Sequence, residues 1–295
     1  MVNRSPGASL RDLHRTQFPL VSPLAHDALS ARLIAQAGFK SFNIGGNAML
    51  VARYALPDLG LAALGEMTDG IRDIVGATAL PALVDGDDGY GDVKSVVRMV
   101  ETYEALGCAG TLIEDQLREG KQPGAATARG VAPLDAFEQK LRAALDARRD
   151  KDFVIIGRTD SFGAVGMDEA LRRGERFLKL GVDGVFIAGL KTVGDYEKVG
   201  VAFKGQWNAA AIFQGGTTPF LSPADLHAMG FSQVAYPNLL IGRVARAIET
   251  GLARLRDFTG GKVNAFEGSD NELALKSLSE AVQSGRWSEI EKKYS

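Results

Sequence analysis

Residues 93–115 read Val93-Lys-Ser-Val-Val-Arg-Met-Val-Glu-Thr-Tyr-Glu-Ala-Leu106-Gly107-Cys108-Ala109-Gly110-Thr-Leu-Ile113-Glu114-Asp115. Positions 93–106 have the period of an amphipathic helix, and Gly107 is a natural stop, because glycine enters the left-handed C-terminal conformation freely. Positions 110–113 form an apolar run too short for a helix. Such a run suits a parallel strand, which is covered on both faces and need not alternate. Two acids follow at once. The same junction recurs at Ala37-Gly38-Phe39 and Leu180-Gly181-Val182. Short apolar runs occupy 19–22, 41–44, 81–84, 110–113, 153–156, 184–187, 209–213 and 233–235. Helical patterns lie between them at 27–38 (with Leu29, Leu33 and Ile34 on one face), 134–148, 167–180 and 239–258. Eight such units predict an α/β fold, the TIM (β/α)8 barrel, over residues 1–260. The competing open doubly wound sheet wants a glycine-rich phosphate turn after its first strand, and Ser22-Pro23-Leu24-Ala25 is not one.

Two segments stand outside this pattern. Residues 115–133 are polar and rich in Gly, Ala and Pro, and a loop of that length in a compact domain is functional or disordered. Residues 261–295 form a C-terminal extension with a further helical pattern at 272–283, beyond a completed barrel. It needs a surface to pack on, either its own barrel or a neighbouring subunit. Composition narrows the function classes. With 34 basic and 36 acidic side chains the formal charge is −2, so there is no basic excess for nucleic acid. The one cysteine, Cys108, excludes an internal disulfide and makes the cytoplasm the default compartment. The N-terminus lacks an apolar signal core, and no stretch approaches the roughly eighteen apolar residues of a membrane span. A soluble protein is expected.

In a barrel, reacting groups sit at the C-terminal ends of the strands. That rule selects Gly45, Gly46 and Asn47 after strand two, then Asp58, and Asp85-Gly-Asp87-Asp88-Gly-Tyr-Gly91 after strand three. It adds Glu114-Asp115 after strand four and Arg158-Thr-Asp160 after strand five. Carboxylates converging on one rim repel unless a cation lies among them. A sparse set that leaves room for waters suits Mg2+, with Mn2+ as the alternative. Arg158 can grip a carboxylate or phosphonate with its planar fork. Asp-Gly clusters are ordinary turn material, and any one of these acids alone reads as a solvated loop residue. Weight comes from acid, acid and arginine ending three consecutive strands.

These motifs resemble a known family. Residues 27–39, Leu56-Pro-Asp58-Leu-Gly60 and Glu66-Met67 look like the first units of methylisocitrate lyase and its relatives in the isocitrate lyase and phosphoenolpyruvate mutase superfamily. Asp85-Gly-Asp87-Asp88-Gly-Tyr-Gly91 is similar to their Asp-x-Asp-Thr-Gly-Tyr-Gly, with Asp88 in place of threonine. Ile113-Glu114-Asp115-Gln116, Gly157-Arg158-Thr159-Asp160 and Gly215-Gly216-Thr-Thr218-Pro219 also match, so the resemblance runs from about residue 20 to 255. It implies a barrel whose last helix is exchanged between subunits, in a homotetramer. It also implies a Mg2+ site with Asp85 as direct ligand and Asp58, Asp87 and Glu114 on the ion's waters. The amides near Gly45 and Gly46 would hold a substrate carboxylate, with Arg158 opposite. The shared chemistry is cleavage or rearrangement of a C–C or P–C bond through an enolate.

The chain also departs from that family. The lyases carry a cysteine and a histidine in the loop after strand four, where this chain has Pro123 and Ala125. Cys108 opens strand four at the opposite end and reads as a buried thiol. Ala188, Ala211 and Phe213 stand where the family has polar side chains. Lys121 is then the best loop acid, so Arg158, Lys121 and Glu114 are the candidate catalytic residues. His14, His26 and His227 read as structural or surface groups, with His26 alone near the rim; Tyr90 reads as pocket wall, and Trp207 and Trp287 as packing residues. A lyase or decarboxylase acting on a small α-keto or α-hydroxy carboxylate is expected. A phosphonomutase or phosphonopyruvate hydrolase is the alternative, and a non-catalytic barrel binding a metal and a dicarboxylate is the reading of another class.

Overall fold

The computed structural model describes residues 4–121, 130–216, 218–263 and 269–295. Two compact units divide the chain, Met1–Leu239 and Leu240–Ser295. The sequence division at 260 counted the helix that starts at Leu239 with the barrel.

The first unit alternates strand and helix. It contains α1 (Pro6–Thr16), β1 (Leu20–Ala25), α2 (Ala28–Gln36), β2 (Phe42–Ile44), α3 (Gly46–Tyr54), α4 (Leu64–Val75), β3 (Ala82–Asp85), α5 (Val93–Ala105) and β4 (Gly110–Glu114). It continues with a 3-10 turn (Arg118–Gly120), α6 (Leu134–Ala147), β5 (Val154–Thr159), α7 (Ser161–Ala164), α8 (Met167–Leu180), β6 (Gly184–Ile187), α9 (Val193–Ala202), β7 (Trp207–Ala211), α10 (Pro223–Met229) and β8 (Gln233–Tyr236). All eight strands run parallel in a closed barrel in chain order, sealed where Leu20 to Pro23 pair with Gln233 to Tyr236. The three glycines read as helix stops, Gly38, Gly107 and Gly181, all have left-handed φ, at 89°, 83° and 98°. There a β-carbon would be strained.

One end of the barrel is shut. Ser5 caps α1 by accepting from the Ala8 amide, and Pro6 starts the helix. Leu10 of α1 joins Leu20, Leu83, Ala109, Val154, Ile156 and Trp207 in a buried cluster at the N-terminal ends of the strands. Trp207 also fixes β7. Its indole N–H donates to Gln233 Oε1 at 2.8 Å, and its ring stacks on His14 with centroids 3.8 Å apart. The strand therefore starts two residues before the run at 209, because polar Asn208 broke the apolar pattern without breaking the strand. With this end closed, the open end is the C-terminal one, where the candidate residues lie.

The second unit contains α11 (Leu239–Thr259) from its second residue, α12 (Ser269–Ala281) and α13 (Ser284–Tyr294). Helix α11 buries none of its residues, and Val244, Ile248, Leu252, Leu255 and Phe258 remain exposed along it. Trp287, expected in packing, is exposed as well, with Arg286 5.0 Å from its ring centre. Among the described residues no helix is long and apolar enough to cross a membrane.

Burial and then Arg11 press the His14 pKa down from 6.5 to about 4, and Nε2 lies 2.8 Å from Ser232 Oγ. The unfolded chain therefore takes up this proton first. Stability from His14 is complete above pH 6.5 and is lost as the pH falls toward 4. His14→Phe, which keeps a ring on Trp207, is expected to flatten the fall of Tm between pH 6.5 and 4. Parallel wild-type and variant profiles would remove His14 as the titrating group.

Candidate active site

Asp85 is the last residue of β3, and the turn behind it is stapled to β4. The Gly86 amide donates to the Leu112 carbonyl, and the Glu114 amide donates to the Asp87 carbonyl, both at 2.8 Å. The Asp87 amide donates to Asp85 Oδ1 at 3.1 Å, and Asp87 is held at φ 46°. Gly86 cannot be replaced cheaply, because a β-carbon there would lie 2.7 Å from Thr111 Oγ1 and 2.8 Å from Met99 Sδ. These bonds bring Asp87 to Glu114, the last residue of β4, which is 2% exposed.

A single ammonium gathers the acids. Lys121 Nζ donates to Asp87 Oδ1 at 2.6 Å and to Asp58 Oδ1 at 3.0 Å, and lies 3.3 Å from Glu114 Oε1. Arg158 on β5 approaches from the other side. Its Nε and Nη2 donate to Asp160 at 2.9 and 3.0 Å, while Nη1 lies 2.8 Å from Glu114 Oε2 and 3.9 Å from Asp85 Oδ2. Glu114 Oε2 is buried without an aligned donor. Asp160 thus occupies one edge of the Arg158 fork, which sequence reasoning had left whole for a ligand.

The electrostatics record a shortage of positive charge. Burial, with Asp87 second, pushes the Asp85 carboxyl up to about 6. Burial also raises Glu114 well above the usual range, against Arg158 and Lys121. For Lys121 burial opposes the charge, but Glu114, Asp87, Asp58 and Asp85 outweigh it and hold the ammonium above the lysine range. Among the described residues no three His, Cys, Asp or Glu groups sit close enough to clasp a bare ion. The acids converge at hydrogen-bond distance on an ammonium, and a hydrated Mg2+ presents donor protons in the same way. The residues present fit such an ion, with Lys121 as its stand-in.

The site opens into a cavity of about 550 Å³. Asp58, Asp85, Lys121 and Arg158 line one side, together with Gly45, Gly46 and Asn47 at the start of α3. Gly45 caps α3 with no side chain, so the first helical amides have no partner within the helix and can receive an anion. Asn47 Nδ2 donates to Asn238 Oδ1 at 3.1 Å. Phe186, with Arg158 5.5 Å from its ring centre, and Ala188, Leu190, Tyr196, Ala211 and Phe213 give much of the remaining lining, with Gln214, Thr218, Asn43 and Gln233 also reaching the cavity. Tyr90 does not line it; its hydroxyl lies 2.9 Å from that of Tyr103. His26 is buried away from it. Burial pushes the Cys108 thiol up to about 12, which makes it unreactive. Pro123 and Ala125 lie outside the described residues.

Two supports escaped sequence reasoning. Arg118 donates to Asp88 Oδ1 at 2.6 Å and to the Gly60 and Ala62 carbonyls at 2.9 and 3.3 Å, tying the turn before Lys121 to two other rim loops. The visible signal was Asp88 itself, an acid in place of the family's threonine. Arg173 of α8 donates at 2.9 Å to Asp115 and to the Ala132 carbonyl, and Asp115 accepts from Thr159 Oγ1 at 2.6 Å. Nothing in the sequence pairs Arg173 with Asp115.

Known proteins share this fold. The family model described as phosphoenolpyruvate phosphomutase matches residues 10–256. The chain belongs to the phosphoenolpyruvate mutase and isocitrate lyase superfamily. It is 33% identical to 2,3-dimethylmalate lyase of Eubacterium barkeri, over 82% of this chain and 83% of that protein. A solved structure of oxaloacetate acetylhydrolase with 3,3-difluorooxalacetate superposes with TM-score 0.89 at 27% identity, covering 98% of this chain and 97% of that one. Phosphonopyruvate hydrolase with oxalate and Mg2+ superposes with TM-score 0.84 at 26% identity, covering 99% of each chain. The superfamily resemblance and barrel read from the motifs are thus borne out, and the relatives include lyases, a phosphonomutase and a phosphonopyruvate hydrolase.

In this superfamily member Asp85→Asn keeps the side-chain shape and removes one crowded carboxylate. At pH 8 the metal-free variant is expected to melt about 2–4 °C above wild type, and to gain nothing from added Mg2+. Thermal unfolding checks both. A lower Tm, or a retained Mg2+ response, would show that repulsion at Asp85 is not the governing term.

Proposed function

We propose that this chain is a Mg2+-dependent carbon–carbon lyase or decarboxylase of small α-keto or α-hydroxy carboxylates. The observation that carries the reading is the acid cluster beside a cavity whose remaining lining is uncharged and largely apolar. Asp85, Asp58, Asp87 and Glu114 are the residues that would hold the ion. Bound there, Mg2+ would supply positive charge for an enolate developing beside it. The chain's own groups do the rest. The amides at the start of α3 receive the carboxylate, with Asn47 alongside, and the Arg158 protons that Asp160 leaves free orient the substrate. Lys121 is the group placed to return a proton to the product carbanion, in the absence of a loop cysteine.

The wall decides between chemistries. Phe186, Ala188, Leu190, Ala211 and Phe213 offer no partner to a further charged group, and an unpaired buried charge costs several kcal/mol or more. Among the described residues the cations lining the cavity are Lys121 and Arg158, and carboxylates already engage both. A second carboxylate brings one charge where a phosphonate brings up to about two, so this favours carbon–carbon cleavage over the phosphonate reactions. It also favours a substrate with an oxalate-like or pyruvate-like head and a short, less charged remainder.

We further propose the assembly of a homotetramer in which α11 and the extension pack on a partner, because the apolar stripe of α11 is exposed in the single chain. Removing residues 262–295 is expected to lower the mass seen by light scattering. An unchanged mass would refute exchange of the extension.

Substrate choice is tested by offering oxaloacetate, 2-methyl-substituted malates and phosphonopyruvate, with and without Mg2+, and assaying pyruvate. Mg2+-dependent release from the first two is expected. Turnover of phosphonopyruvate alone would move the chain to the phosphonate branch, and turnover of none would make it a binding protein. In thermal-shift competition, oxalate with Mg2+ should stabilise the protein and isocitrate should not. A larger shift with isocitrate would contradict the apolar wall.

A further inference from the structure

The acid cluster already holds a cation that belongs to the chain. Lys121 Nζ bonds Asp87 and Asp58 and sits 3.3 Å from Glu114, with its side chain 9% exposed. These are three of the carboxylates that the proposed function gives to the ion, and the same small volume cannot hold both. We propose that Lys121 is an internal competitor for the divalent ion, so that the ion enters only as this ammonium withdraws.

Three observations support the competition. The first is the latch behind Lys121. Arg118 is tied to Asp88, Gly60 and Ala62, and the Lys121 amide donates to the Arg118 carbonyl at 3.2 Å. This backbone is set where a four-carbon stem reaches the acids. The second is an exit, because Lys121 also lines the cavity, which gives its side chain room to turn away from the acids. The third is charge. Asp58, Asp85, Asp87 and Glu114 face Lys121 and Arg158, so one ammonium neutralises them incompletely and a divalent ion neutralises them better. In the metal-free protein Lys121 keeps the acids together; with the ion in place its charge is delivered to the cavity, where a substrate anion would lie. The free energy of expelling Lys121 is then subtracted from the ion's intrinsic affinity.

The inference rests on reading the cluster as a metal site, and the test separates the two. Binding of Mn2+ to wild type, Lys121→Met and Arg118→Ala is followed through the paramagnetic resonance signal of the free ion. If Lys121 occupies the cluster in nine molecules of ten, its removal tightens Mn2+ binding about tenfold. Arg118→Ala, which keeps the lysine but releases its backbone, should tighten binding by less, and it serves alone if Lys121→Met does not fold without metal. Equal or weaker binding by the variants, beside measurable wild-type binding, overturns the competition and leaves the metal site standing. No Mn2+ bound by any of the three overturns both.

Discussion

Negative charge at one end of a barrel is the constraint that organises this molecule. Asp58, Asp85, Asp87, Glu114 and Asp160 gather there with their side chains mostly buried. Each like-charged pair at about 4 Å costs ~1 kcal/mol in water and ~4 kcal/mol near a protein surface. A fold that keeps such a cluster has to supply cations and hold them in place. Arg158 is therefore locked by Asp160, Lys121 is brought in on a latched turn, and Arg118 is itself fixed by an acid and two carbonyls. Burial, with Asp87 second for Asp85, still lifts the carboxyls of Asp85 and Glu114 above their usual range against the pull of these cations. That remaining deficit is what a divalent ion would fill.

The division of labour in the cavity follows from the same constraint. The acids and their cations gather at one part of the cavity. Strands β6 and β7 and the loops after them line the cavity without a charged side chain, among the described residues.

Much of this was legible in the sequence for a geometric reason. A parallel barrel brings every strand's C-terminal end to one rim, so Asp85, Glu114 and Arg158 had to meet once each was seen to follow an apolar run. The glycine stops marked the helix ends, and their left-handed backbone bears this out. Contacts between residues distant in sequence were not legible. Arg118 reaches Asp88 across 30 positions and Arg173 reaches Asp115 across 58, and no local pattern names either partner. Helix α1 lies before the first strand, so its start signal Ser5-Pro6 falls outside the repeating strand–helix period. Asn208 hid the start of β7, since a polar residue in a strand interrupts an apolar run but not the hydrogen-bonded ladder.

The most direct test of the charge account is crystallographic. A crystal soaked in Mn2+ and measured at the manganese absorption edge locates the ion by its anomalous scattering. The account predicts one strong peak among Asp58, Asp85, Asp87 and Glu114, with the Lys121 ammonium no longer bonded to Asp87. A cluster without a peak at saturating Mn2+, and with Lys121 still seated on Asp87, would contradict it.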